Sequence, residues 1–297
     1  MNRLLNKCML CPRNCCINRN CGEFGFCKAG NMIKIAKAYL HMWEEPCISG
    51  DTGSGTIFFS NCNLRCIFCQ NYYISEDGNG VEISVERFSD ICLDLQKQGA
   101  LNINLVTPTH YVPLIIDGIK LAKSRGLNIP IVYNSSGYEN VDTIKLLDGI
   151  VDIYLPDFKY YSDKYALKYS NCKDYFKYAC MAIDEMVNQQ PKCIFDKNGI
   201  LKKGVIVRHL LLPGMEKDSK KIIKYLYDKY GNNIYLSIMN QYTPIRECKY
   251  SELNNRVDND IYDEVIDYAW DIGVRNAFTQ DGESQSESFI PKWDFKG

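Results

Sequence analysis

No run of 18 consecutive apolar residues occurs in the 297-residue chain, which excludes a membrane-spanning helix of ordinary length. The opening residues, MNRLLNKCMLCPRNC, lack the apolar run of a secretion signal, so the expectation is a soluble, cytoplasmic protein. An excess of either charge is missing as well: 35 basic residues stand against 36 acidic ones. There is no global field to gather nucleic acid or an anionic membrane, and neither is expected as a partner. Internal repeats and low-complexity linkers are also absent. With 46% apolar residues the length suffices for one α/β barrel or two smaller domains with buried cores.

What the chain has in quantity is cysteine, fifteen residues in all. Small secreted domains use cysteine for disulfides, but this chain is large, has no export signal and carries an odd number. Metal or redox chemistry is the better account. The distribution is uneven: Cys8, Cys11, Cys15, Cys16, Cys21 and Cys27 crowd the front, and Cys62, Cys66 and Cys69 form a second group.

From residue 56 onward, short β-branched runs alternate with segments of helical period, the pattern of βα units on a parallel sheet. Strands are expected at 56–60, 103–107, 129–134, 151–155, 205–210 and 234–239. Helices are expected at 84–98, 113–125, 141–147, 218–230 and 258–272, each ending at or near a glycine. In the first of these, Val85, Phe88, Ile91, Cys92 and Leu95 share one face and Ser84 is the N-cap. The fold class expected is α/β, a partial (β/α)6 TIM-like barrel whose chemistry collects at the strand C-termini. Residues 1–50 read as a Cys-rich N-terminal appendage and 51–297 as the barrel.

Cys62, Cys66 and Cys69 have the spacing C-x3-C-x2-C immediately after the first expected strand. Structural zinc normally takes four protein ligands, and [4Fe–4S] clusters usually take four cysteines, so a triplet leaves one metal position open to a substrate or cofactor. A zinc loop completed by a distant fourth ligand, or three cysteines with no common role, would give the same spacing. Polar residues mark the later strand ends: Thr107-Pro-Thr-His110, Asn134-Ser-Ser136-Gly137, Asp157-Phe-Lys159, Arg208-His209 and Asn240-Gln-Tyr242. Asp157 and Lys159, two residues apart on an extended chain, can face one mouth, although an exposed ion pair reads the same way. Arg208 either joins them or packs its stem over the barrel. His209 alternates to the other face and is expected to be structural, whereas His110 either lines the mouth or caps a turn.

In front of the barrel, Cys8-x2-Cys11-Pro-x2-Cys15 with Cys27 offers the four thiolates of a closed site for zinc or a second iron–sulfur cluster, with Gly22 and Gly25 suited to tight turns. Free thiols are the alternative. Cys47 is expected to be buried and structural.

The motif C-x3-C-x-φ-C, with Phe68 at the aromatic position, resembles the signature of the radical S-adenosylmethionine (SAM) superfamily. That resemblance implies an oxygen-sensitive [4Fe–4S] cluster on Cys62, Cys66 and Cys69, SAM chelated at its open iron, and Phe68 near the adenine. It implies reductive cleavage of SAM to methionine and a 5′-deoxyadenosyl radical that removes a substrate hydrogen, fed by a one-electron donor such as flavodoxin or ferredoxin. Asp157-Phe-Lys159 and Arg208 resemble SAM-pocket positions of glycyl-radical-enzyme activases, with Lys159 meeting the SAM carboxylate. Asn134 and Ser136 are taken as further cofactor-binding residues of the same mouth. Where many radical SAM proteins carry a Gly-Gly-Glu-type segment, this chain has Thr107-Pro-Thr-His110. The stretches CMLCPRNC, HMWEEPCISGDTGSGTIFFSNCNLRCIFCQNYYIS, NLVTPTHYVP, VYNSSGYE, YLPDFKY and VRHLLLPG resemble an activase-like group named after pyruvate formate-lyase activation. The activity implied is that of an anaerobic oxidoreductase abstracting hydrogen from a glycine of a partner protein. A small-molecule or peptide substrate is the second enzyme reading, and a non-catalytic iron–sulfur or zinc protein the third.

Overall fold

A computed structural model describes residues 2–280 and Trp293. Its strands are β1 (Ile33–His41), β2 (Ser54–Phe59), β3 (Val81–Ile83), β4 (Ile103–Val106), β5 (Ile131–Ser135), β6 (Ile153–Pro156), β7 (Ile194–Phe195), β8 (Leu201–Leu210), β9 (Tyr235–Met239) and β10 (Ala277–Phe278). They join in one sheet of order β10-β9-β8-β6-β5-β4-β2-β1-β3, with β7 paired to β8. From β2 to β10 along this order the neighbours are parallel. Chain order and spatial order coincide there, as repeated βα units require. Because β3 and β10 do not meet, the result is an open α/β barrel. All six expected strands are present, their ends shifted by a few residues. The largest shift is at β8, whose first residues pair with the short β7.

Physical reasons for these elements are local. Every residue of β2 is buried, the mark of a parallel strand covered on both faces. The helix Val85–Lys97 starts where Ser84 Oγ accepts a hydrogen bond from the Arg87 N–H, and it buries Phe88, Ile91, Cys92 and Leu95 on the expected face. Asp258 caps the helix Asn259–Asp271 in the same way. Two helices that no strong capping signal announced, Asp163–Ser170 and Tyr175–Gln189, fill the crossover between β6 and β7. No helix among the described residues is long and apolar enough to cross a membrane.

The front of the chain is tied into the sheet more closely than expected. Strand β1 lies within the segment read as an appendage, yet it pairs with β2 from Ile35↔Phe59 to His41↔Ser54. The sheet therefore begins at Ile33. Because β1 is antiparallel, the chain leaves it at the N-terminal end of β2. There Asn102 accepts a hydrogen bond from Ser54 Oγ at 2.6 Å and donates to the Ile48 carbonyl at 2.8 Å, fixing the segment that carries Glu44 and Glu45.

Candidate active site

One cavity of about 220 Å³ opens where the parallel strands end. Cys62, Cys66, Phe68 and Cys69 line it from the loop after β2. Thr107 enters from β4, Asn134 and Ser136 from β5, Asp157 and Lys159 from β6, Arg208 from β8, and Gln241, Tyr242 and Thr243 from β9. Strand C-termini separated by up to 180 residues of chain thus converge, which is where α/β folds gather their chemistry.

The cysteine loop is held in an unusual backbone. Asn61 and Arg65 have φ of 71° and 56°, and Thr107 opposite them has 61°, a left-handed region that costs non-glycine residues energy and recurs at functional sites. Gly137 also has a positive φ, 74°, and a Cβ there would stand 2.2 Å from the Asp157 carbonyl. Only glycine lets the end of β5 approach β6 so closely. Each thiol of the loop accepts a hydrogen bond: Cys62 from the Leu64 N–H at 3.3 Å, Cys66 from Ser170 Oγ at 2.9 Å, and Cys69 from Ser75 Oγ at 3.4 Å. Burial pushes the Cys62 thiol up and the Cys66 thiol up to about 12, so neither ionises readily unless a cation compensates.

Facing the thiols is a buried charge network. Asp157 accepts from Lys159 Nζ at 2.6 Å and from Arg208 Nε at 2.9 Å. Arg208 also donates to Glu44 at 3.2 Å and to Asn134 Oδ1 at 2.6 Å. Burial alone would raise Asp157, but Arg208 and Lys159 overcome it and hold the carboxyl below the usual range. Burial opposes the charge on Lys159, and Asp157 together with Cys66 outweighs it, so the ammonium is raised. For Glu44 the balance reverses: burial exceeds the pull of Arg208 and pushes it up. Three hydroxyl or amide groups on the cavity wall, Ser136 Oγ, Asn71 Oδ1 and Thr243 Oγ1, are buried with no partner among protein atoms. Such groups are costly unless something else bonds to them. Three thiols, two cations and three unsatisfied polar atoms around one cavity fit a metal cluster beside a polar, carboxylate-bearing cofactor.

A second, much smaller cavity of about 10 Å³ lies behind the loop, lined by Cys8, Cys11, Cys15 and Cys27 together with Arg13, Arg19 and His110. Gly22 has φ 82°, and a Cβ on Gly25 would sit 2.8 Å from Cys15 Sγ, so both glycines are needed for this packing. Cys16 and Cys21 are exposed and outside it. Among the described residues no three histidine, cysteine, aspartate or glutamate side chains stand as a ready metal-holding group. The thiols of each set do share a cavity.

Other expectations resolve by contact. His110 points away from the large cavity: its Nε2 meets the Ser60 carbonyl at 2.9 Å and its ring packs on Tyr111. His209 is structural, bridging the Phe158 carbonyl at 2.7 Å and Ser219 Oγ at 2.8 Å. Cys47 is buried in a small apolar cluster with Ile48, Val132 and Ile153. Three residues were missed. Glu44 arrives from the opposite end of the barrel, Thr243 follows the last expected mouth residue, and Ser170 comes from a helix that was not anticipated. For Glu44 the doubled acid in Trp43-Glu44-Glu45-Pro46, ahead of a buried cysteine, was a signal that could have found it.

The description "Radical SAM superfamily" fits residues 56–226, more than half of the chain. Two uncharacterised proteins of Methanocaldococcus jannaschii are similar in sequence. One is 29% identical over 279 residues, covering 90% of this chain and 75% of its own, and the other 25% identical over 251 residues, covering 76% and 67%. Among solved structures, Streptococcus suis SuiB bound to S-adenosylmethionine superposes with TM-score 0.52 at 13% identity over 74% of this chain. A radical SAM methyltransferase from Sphaerobacter thermophilus does so with 0.54 at 13% identity over 76%. The chain spans 48% and 66% of the lengths of these two structures, and the likeness is one of fold.

Proposed function

The chain belongs to the radical SAM superfamily, and from that premise we propose that Cys62, Cys66 and Cys69 hold a [4Fe–4S] cluster with SAM seated in the adjoining cavity. The observation that carries the reading is the single cavity in which these thiols face Asp157, Lys159, Arg208, Asn134 and Ser136. When bound, the cluster supplies the electron that cleaves SAM to methionine and a 5′-deoxyadenosyl radical. Everything else is done by the chain's own side chains. Lys159 gives one hydrogen bond to Asp157, and an ammonium has three donors, so two remain for the SAM carboxylate. Asp157 and Arg208 hold that ammonium and the strand end in place. Ser136 and Thr243 supply unpartnered hydroxyls to the ligand, and Phe68, edge-on to Tyr242 at 6.2 Å, presents an apolar face to the adenine.

The hydrogen donor we favour is a glycine Cα–H of a partner protein, as in glycyl-radical activases, with flavodoxin or ferredoxin as electron source. A second reading, a small molecule or peptide end, draws support from Glu44, a buried carboxylate that lines the cavity and accepts from Arg208. The four thiols Cys8, Cys11, Cys15 and Cys27 are read as a closed metal site, zinc or a second iron–sulfur cluster, in a segment that ends before β1. Anaerobic reconstitution tests the reading: wild-type protein should bind iron and sulfide, and form 5′-deoxyadenosine from SAM under dithionite. Deuterium transfer into 5′-deoxyadenosine from labelled candidates then separates a protein glycine from a small donor. Iron binding without SAM cleavage would leave a non-catalytic iron–sulfur protein.

A further inference from the structure

The three thiols of the cysteine loop are not hydrogen-bonded alike. Cys66 has the shortest contact, 2.9 Å from Ser170 Oγ, against 3.3 Å and 3.4 Å at Cys62 and Cys69. Ser170 is also 2.6 Å from the Tyr160 hydroxyl. A serine hydroxyl has one proton. If that proton points at the Cys66 sulfur, Ser170 Oγ must accept from Tyr160, which gives the chain a direction: Tyr160 O–H to Ser170 O–H to Cys66 S. Tyr160 and Ser170 are both almost wholly buried, at 0% and 1% exposure, so no solvent screens these dipoles.

The relay is braced from two sides. Ser170 is the last residue of the helix Asp163–Ser170, and the preceding Tyr169 carbonyl accepts from the Ile67 N–H at 2.9 Å, binding the helix end to the cysteine loop. Arg13, set between Cys11 and Cys15, donates to the carbonyls of Ser170 at 3.3 Å and Asn171 at 2.6 Å and to that of Asn63 at 3.0 Å. Its guanidinium stacks over Phe26 at 3.7 Å. A hydroxyl fixed this firmly is not a casual contact of a mobile side chain.

We infer that Ser170, backed by Tyr160, is a positioning residue that sets the reduction potential of the cluster at Cys66; this rests on the assignment of Cys62, Cys66 and Cys69 as its ligands. A reduced cluster carries one more negative charge than an oxidised one, and a hydroxyl whose positive end faces a ligating sulfur stabilises the added charge. Hydrogen bonds to the sulfurs are among the factors that set such potentials. The relay therefore makes the cluster easier to reduce, and so easier for a weak biological donor to charge.

The test is a potentiometric titration of the reconstituted protein followed by electron paramagnetic resonance, with iron and sulfide counted in each sample. Ser170→Ala should keep its iron and shift the midpoint to more negative potential by about tenfold in the one-electron equilibrium, about 59 mV. Tyr160→Phe should move it the same way by less, and Ser170→Thr, which keeps the hydroxyl, should stay near wild type. An iron-replete Ser170→Ala protein with the wild-type midpoint overturns the inference. If Ser170→Ala loses its cluster, Tyr160→Phe decides alone, an unchanged midpoint overturning the relay and a negative shift supporting it. Failure of the ligand assignment looks different: Cys66→Ala would then bind as much iron as wild type, and both readings fall.

Discussion

The cysteine loop after β2 and the N-terminal cysteine segment both bring thiols to a cavity, but the cavities differ far more than the spacings do. The loop opens on about 220 Å³ walled by cations and unpartnered polar atoms; the N-terminal thiols surround about 10 Å³. Room and leftover hydrogen-bonding capacity mark a site that receives a second ligand. The small cavity also has Arg13, Arg19 and the unpartnered Nδ1 of His110 on its wall, so the contrast is one of room: on the proposed reading its four thiols close a site with no space for a second ligand. On the proposed assignment the ligand counts, three against four, point the same way, since an open coordination position is what separates working metal sites from structural ones. The two are also joined, because Arg13 of the closed segment grips the backbone of the open one at Asn63.

Variants that break this contrast can be ranked by expected effect. Cys62→Ala, Cys66→Ala and Cys69→Ala should each abolish 5′-deoxyadenosine formation, since two thiolates cannot keep the cluster and its open position. Wild-type turnover in any of the three would end the assignment.

Lys159→Ala comes next. Loss of a charge-assisted hydrogen bond of about 1.5–3 kcal/mol should weaken SAM binding roughly tenfold to hundredfold while iron content holds. Half-saturation of 5′-deoxyadenosine formation by SAM is the measurement, and an unchanged value would reduce Lys159 to a partner of Asp157.

Replacing Cys8 or Cys11 should sharpen the comparison from the other side. Metal content is expected to fall by the N-terminal equivalent and the melting temperature to drop, with the cluster at Cys62, Cys66 and Cys69 still assembled. A single cluster and no other metal in carefully handled wild-type protein would remove the closed site.

The smallest effect belongs to neither segment. Ser84→Ala deletes the N-cap of Val85–Lys97 and should cost about 1 kcal/mol in denaturant unfolding with no change in metal or SAM binding. It measures how far a purely structural loss reaches into either cavity.

Legibility followed the range of the interaction. The βα alternation, the Ser84 cap and the cysteine triplet are patterns within about 15 residues, and they were readable because hydrogen bonding and side-chain periodicity act at that range. Asp157 and Lys159 could be read as neighbours for the same reason. Strand β1 was missed as part of the sheet because it joins its partner, β2, through a connection that carries the short helix Pro46–Ser49, and nothing in IKIAKAYLH says which edge it will join. His110 could not be decided either, since a turn residue at a strand end can face the mouth or the back of the loop.

What the amino-acid sequence determined by itself was the kind of chemistry: an odd wealth of cysteine, a three-thiol loop after the first parallel strand, and polar residues ending each later one. What only the tertiary structure decided was which groups share a cavity. Glu44 meets Arg208 across 164 positions and Ser170 meets Cys66 across 104, contacts specified by the packing of whole elements and by no local pattern. The physical reason is that a buried hydrogen bond needs its partner within about 3 Å, and only the assembled sheet and its docked helices bring such distant residues that near.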